Sequence, residues 1–188
     1  MPWNGHHGWV PITTDVIRAT LAEYLERHPE EKVGLRPALE LIEAGADLTS
    51  RAELRGHATA SAILRDRQGR ILLIEHRALR RWLQPGGHLE PADTDLRAAA
   101  LRELSEETGI DAAAVTSAGD DPIHVDCHPI PDSTAKGEPA HFHLDFRYLF
   151  STEADFGTLQ GEEILAAAWR PVDDLADRRL SARCAGRP

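Results

Sequence analysis

Residues 86–110 read Gly86-Gly87-His88-Leu89-Glu90-Pro91-Ala92-Asp93-Thr94-Asp95-Leu96-Arg97-Ala98-Ala99-Ala100-Leu101-Arg102-Glu103-Leu104-Ser105-Glu106-Glu107-Thr108-Gly109-Ile110. From Leu96 onward the stretch is rich in alanine, leucine, arginine and glutamate, all strong helix formers, and it predicts a helix. Glu103 and Glu107 stand four positions apart and Glu106 three from Glu103, so three carboxylates share one helix face. Like charges held that close repel unless a cation lies between them. Hard carboxylate oxygens suit Mg2+, with Mn2+ as the alternative. Gly109 is the residue type that ends a helix in the left-handed conformation. Just upstream, Pro85-Gly86-Gly87 predicts a tight loop approaching the same face. An Arg-Glu-Leu-Ser-Glu-Glu run alone is ordinarily a solvated surface; the glycine loop before it and Thr108-Gly109-Ile110 after it make this one different.

Together these residues resemble the Nudix box of the Nudix hydrolases. That pattern is glycine, five residues, glutamate, seven residues, then Arg-Glu-apolar-x-Glu-Glu-x-Gly-apolar. The second half matches from Arg102 to Ile110. The first half departs from it. Counting from Gly87, the place of the first glutamate holds Asp93, and eight residues rather than seven separate it from Arg102. The strict count would put His88 and Thr94 at motif positions, which is chemically poor. A one-residue insertion at Asp93-Thr94-Asp95, where a helix cap belongs, absorbs the difference without rotating the glutamate face. The carboxylate supporting Arg102 is then Asp93, Asp95 or Glu90.

The resemblance implies an α/β fold, the Nudix α/β/α sandwich with a mixed sheet, over residues 54–178. It implies that Glu103, Glu106 and Glu107 bind the metal and act in catalysis, with the Gly86 carbonyl as a further ligand. Asp93, Arg102, Gly87 and Gly109 support the box, Arg102 by orienting a glutamate. The family also places an acid in a downstream loop, which here is Glu163, or its neighbour Glu162.

The chain has 188 residues, enough for one domain with a decorated terminus. Residues 1–53 read as an N-terminal segment and helical extension, and 179–188 as a C-terminal tail. Thr13-Thr14-Asp15 followed by Val16, Ile17, Leu21, Tyr24 and Leu25 predicts a helix ending near Pro29; Leu35, Leu39 and Ile42 predict another, stopping at Gly45. This pair is expected to pack on the core or on a second copy in a homodimer. Residues 57–65 and 70–76 flank Asp66-Arg67-Gln68-Gly69 as a β-hairpin. Strands are expected at 123–130, at 141–151 and up to Trp169-Arg170, with a short closing helix at 172–178. In the 141–151 strand, Phe142, Leu144, Phe146, Tyr148 and Phe150 take one face and His141, His143, Asp145 and Arg147 the other.

A formal net charge of −10 argues against a nucleic-acid polymer as partner, though not against a small phosphorylated metabolite or nucleotide that meets a bound cation. No stretch reaches the roughly 20 apolar residues of a membrane span. Two cysteines, Cys127 and Cys184, offer no disulfide framework, and the N-terminus lacks the signature of a secretory signal, so a cytoplasmic location is expected.

Arg77, Arg80, Arg81, Lys136 and Arg147 are candidate phosphate contacts, and Trp82 a candidate base-stacking or core residue. His124, His128, His141 and His143 alternate on two strands. Simple alternation accounts for them as a polar sheet face, with His141 and His143 candidate substrate contacts, so no essential zinc site is expected among these four. The expected activity is Mg2+-dependent hydrolysis of a phosphoanhydride bond, in a nucleoside diphosphate linked to another moiety. The alternatives are a binding or regulatory module of the same fold without turnover, and an isopentenyl-diphosphate isomerase, which would need a positioned cysteine.

Overall fold

A computed structural model describes residues 11–77, 79–134, 137–157, 159 and 164–186. Four helices and eight strands follow in chain order: α1 (Thr14–Arg27), α2 (Arg36–Glu43), β1 (Gly56–Arg65), β2 (Ile71–His76), β3 (Arg81–Leu83), β4 (Gly86–His88), α3 (Leu96–Thr108), β5 (Val115–Ser117), β6 (His124–Ile130), β7 (His141–Thr152), β8 (Ile164–Arg170) and α4 (Arg178–Ala185). The strands form one mixed sheet ordered β3-β2-β1-β7-β5, with β4 paired to β1, β6 to β7 and β8 to β2. Its spine is the parallel pair β1 and β7, in register from Gly56 opposite Phe142 to Arg65 opposite Ser151. All other pairings are antiparallel. Pro129, which cannot donate to a ladder, sits in β6, which pairs with β7 alone.

Period-two alternation divides the sheet between two cores. Ala58, Ala60, Ala62 and Leu64 of β1 and Leu144, Phe146, Tyr148 and Phe150 of β7 join α1, α2 and α3 in the larger one. The small β1 residues let α3 lie close against the sheet. Ile63, Ile71, Leu73 and Leu149 face the opposite way, onto Leu180 and Cys184 of α4. Helices therefore cover both faces, an α/β/α arrangement.

The first helix starts at Thr14, two residues earlier than a start after Thr13-Thr14-Asp15, with Thr13 as its cap, accepting from Val16 N at 3.3 Å. Ile17, Leu21 and Tyr24 form its buried stripe, whereas Val16 is 43% exposed, one position off that stripe. The closing helix lies later than expected. Val172–Asp174 is a single 3-10 turn, and the true helix starts after Asp177, whose carboxylate accepts from Arg179 N and Leu180 N. Residues read as a tail thus form α4. Its Arg183 donates to Glu31 at 2.6 Å and to the Tyr24 hydroxyl at 2.5 Å, clasping the N-terminal segment beside the start of β6. No described helix is long and apolar enough to cross a membrane.

Candidate active site

The acidic face is set by how α3 is held at both ends. Asp95 caps it, accepting from Ala98 N at 2.8 Å, and Gly109 ends it with φ +69°. Leu96, Ala99, Ala100, Leu104 and Thr108 are buried, which turns Arg102, Glu103, Glu106 and Glu107 toward the box loop. Losing the cap in Asp95→Ala is expected to cost about 1 kcal/mol. A thermal melt lowered by roughly 2–4 °C would register that loss.

The loop meets this face through β4, which pairs with β1 as Ser61 opposite Gly86, Ala60 opposite Gly87 and Thr59 opposite His88. A Cβ on Gly86 would overlap Ser61 Oγ and stand 2.7 Å from its Cα, so glycine is required there by backbone contact. One on Gly87 would stand 2.6 Å from the Glu103 carboxylate and would displace it. The Gly86 N–H also donates to Glu107 Oε2 at 3.0 Å, so backbone and carboxylate are tied together.

Arg102 organises the carboxylates. Its Nε and Nη2 donate to the two oxygens of Asp93 at 3.0 and 3.1 Å, Nη2 to the His88 carbonyl at 3.0 Å, and Nη1 to Glu103 and Glu106, both at 3.0 Å. Asp93 is buried and also accepts from Glu90 N at 2.7 Å. The two aspartates of the inserted segment divide its work: Asp93 pairs with Arg102 and Asp95 caps the helix. Burial pushes the Glu103 carboxyl above its usual range, against the opposing pull of Arg102. Arg102 thus holds Glu103 and Glu106 on one guanidinium while Glu107 meets the Gly86 N–H, and such hard oxygen donors, one of them desolvated, suit a divalent cation.

Behind the loop lies a polar row that the linear sequence hides. The parallel register places His57 beside His143, Thr59 beside Asp145 and Ser61 beside Arg147. Asp145 accepts from Ser61 Oγ at 2.7 Å, Thr59 Oγ1 at 3.1 Å and Arg147 Nε at 2.8 Å. Arg147 is buried and also donates to Asp126 at 3.1 Å and His124 at 3.2 Å, so its guanidinium is committed within the sheet. Arg77, Arg80 and Arg81 are exposed around the β2–β3 turn. Trp82 packs against the smaller core with the Arg170 guanidinium 4.8 Å from its ring centre. Lys136, Glu162 and Glu163 lie outside the described residues.

The histidines separate into two groups. His124 stands alone, buried, with Asp177 at 3.5 Å and Glu31 at 3.9 Å. Burial, helped by Arg147, holds its pKa below the ordinary 6.5. On acidification the unfolded chain takes up this proton first, so stability is lost as pH falls below about 6.5. Melting temperatures are expected to drop between about pH 7 and pH 5, and His124→Gln to lessen a slope to which His88 and His143 also contribute; an unchanged slope would show that His124 does not contribute. His141, His143 and His128 cluster instead with His57 and His88, which a reading of strand alternation alone did not group with them. Desolvation and neighbouring imidazoles push His88 down to about 4 and His143 to about 3, keeping both rings neutral. A cleft of about 360 Å3 lined by Glu31, His124, Asp126, Cys127 and Asp177 contains no box residue.

A family model described as the NUDIX domain matches residues 55–185. The chain belongs to the Nudix family. It is 34% identical over 111 residues to a probable DHNTP pyrophosphohydrolase of Lactococcus lactis subsp. cremoris, covering 56% of this chain and 63% of that protein. It is 46% identical over 46 residues to the asymmetrical bis(5'-nucleosyl)-tetraphosphatase of Sus scrofa, covering 24% of this chain and 31% of that one. The match thus spans less than two thirds of the length of either relative. Among solved structures, a Nudix-family hydrolase from Clostridium perfringens is similar at 24% identity with a TM-score of 0.49, over 63% of this chain and 83% of that one.

Proposed function

We propose that this Nudix protein is a Mg2+-dependent hydrolase of phosphoanhydride bonds in small nucleotide-like metabolites, with a nucleoside diphosphate linked to another moiety as the expected substrate. The observation that carries this reading is that Glu103 and Glu106, tied together by Arg102, and Glu107, tied to the Gly86 N–H, lie on the α3 face turned to the Gly86-Gly87 loop. These carboxylates, with the Gly86 carbonyl, would hold the cation. When bound, it neutralises phosphate charge and makes a water more acidic. The chain's own part is to keep the donors in place. Arg102, anchored on Asp93, fixes Glu103 and Glu106. The Gly86 N–H fixes Glu107, and the absence of side chains at Gly86 and Gly87 lets backbone lie flush with the carboxylates. Glu163 remains the proposed downstream acid.

Neither cysteine suits the isomerase alternative. Burial pushes Cys127 up to about 11, far from a reactive thiolate, and Cys184 is buried under α4. The names of the relatives widen the substrate panel to DHNTP and bis(5'-nucleosyl) tetraphosphates, beside ADP-ribose, nucleotide sugars and nucleoside triphosphates. Turnover is read as phosphate released after phosphatase coupling, with and without Mg2+. Mg2+-dependent cleavage of at least one compound is expected; Mg2+-dependent binding without cleavage across the panel would turn the reading to the regulatory module.

A further inference from the structure

We propose that His57, His88 and His143 form a transition-metal site of the Zn2+ class, separate from the carboxylate face of α3, that pins the box loop to the sheet. The three side chains come from β1, β4 and β7, and their candidate ligand nitrogens all lie within 4.8 Å of one another. Ring centres stand 4.9 to 5.2 Å apart at tilted or edge-on angles, so the nitrogens converge rather than the faces stacking. His57 and His143 are direct partners in the parallel ladder, and His88 lies opposite Thr59 in the neighbouring pairing. Hydrogen-bonded backbone therefore holds all three positions. A tetrahedral zinc with bonds of 2.0–2.1 Å needs its ligand nitrogens about 3.4 Å apart, within reach of small side-chain rotations.

The donor chemistry is independent of that geometry and points the same way. His57 is buried, its Nδ1 lies 3.3 Å from the Glu53 carbonyl, and its Nε2 has no partner among the described residues. A carbonyl only accepts, so Nδ1 carries the proton and Nε2 presents a lone pair to the cluster. A buried acceptor left unsatisfied calls for an explanation. An imidazole whose far nitrogen is fixed on a carbonyl is the usual arrangement of a metal-ligating histidine. His141 repeats it: Nδ1 lies 2.8 Å from the Pro139 carbonyl and Nε2 3.2 Å from His143 Nε2. It lies outside the set of mutually close nitrogens, so the fourth position of the tetrahedron falls to water. Nitrogen donors without thiolate or carboxylate select Zn2+, Co2+, Ni2+ or Cu2+ over Mg2+. A substrate phosphate fits poorly, because His57 and His141 are buried and the Nδ1 of each is already spent on a backbone carbonyl. His88 follows Gly87, at which a Cβ would meet the Glu103 carboxylate, and the His88 carbonyl accepts from Arg102. Metal bound there would hold the loop in the position the box requires.

The test uses the untagged full chain, stripped with chelator and titrated with Co2+. A tetrahedral Co2+ spectrum in the visible, saturating near one equivalent and displaced by Zn2+, is expected. His57→Gln and His143→Gln should each weaken Co2+ binding by about 100-fold or more, with circular dichroism confirming the fold. Should a buried variant unfold, His88→Asn at its half-buried position decides. Glu103→Gln and Glu107→Gln should leave the cobalt spectrum intact while removing Mg2+-dependent hydrolysis, which separates this site from the proposed activity. Absence of stoichiometric Co2+ binding to the wild type, or equal binding by the folded histidine variants, would overturn the proposal.

Discussion

Glu107→Gln is expected to lower kcat by about 10³-fold, and Glu103→Gln by a similar factor, with circular dichroism and expression unchanged. Glutamine keeps the volume of each side chain, and at Glu107 its carbonyl oxygen still accepts from Gly86 N, so the local structure survives. What is lost is negative charge on a helix face that carries three carboxylates. In chelator, removing one of three like charges relieves repulsion, while Glu103→Gln also gives up its pair with Arg102, so the two effects oppose and the variants should melt close to the wild type. In Mg2+ the wild type gains stability from binding and the variants gain less. A thermal melt in both buffers checks this; equal Mg2+ stabilisation of wild type and Glu107→Gln would show that the cation binds elsewhere.

The largest expected stability effect belongs to Asp93→Ala. Asp93 is buried, takes a bidentate pair from Arg102, and accepts the Glu90 N–H. Its removal strands a guanidinium that already bridges Glu103, Glu106 and the His88 carbonyl. Breaking one partner of a buried charge pair costs about 3–5 kcal/mol. In a chain of this size that lowers the melting temperature by roughly 6–20 °C. Activity falls as well, because Arg102 no longer fixes Glu103. The double variant Asp93→Ala/Arg102→Met should recover part of the lost stability and none of the lost activity. A drop of only a degree or two in Asp93→Ala would mean that Asp95 or Glu90 takes over the pairing.

The box helix, its cap, its stop and its acidic face were legible because a helix of α3's length carries enough turns to show which side is buried. The long strands β1 and β7 were legible for the same reason, with Phe142 to Phe150 marking one face. β3, β4 and β5 have three residues each, too few for any period to stand out, and β4 is a strand only because β1 offers it a ladder. The closing helix was misplaced because Asp173-Asp174 and Asp177 offer competing caps, and only packing of Leu180 and Cys184 chooses between them. Candidate site residues followed the same division. Glu103, Glu106 and Glu107 are neighbours in sequence and remain neighbours in space. The partners of Arg147 and the set of histidines around His143 depend on strand register, which brings residue 57 beside residue 143. Spacing along the chain carries no record of that.

Manganese binding followed by electron paramagnetic resonance tests the central claim most directly, since free Mn2+ gives a sharp signal that is lost on coordination by protein. Titration of wild type, Glu103→Gln, Glu107→Gln and His57→Gln in parallel separates the carboxylate face from the histidine cluster. The wild type and His57→Gln should quench the signal of at least one Mn2+ per chain, and both glutamate variants should leave most of it free. Unchanged Mn2+ binding in the two glutamate variants would contradict the assignment of the box face as the metal site.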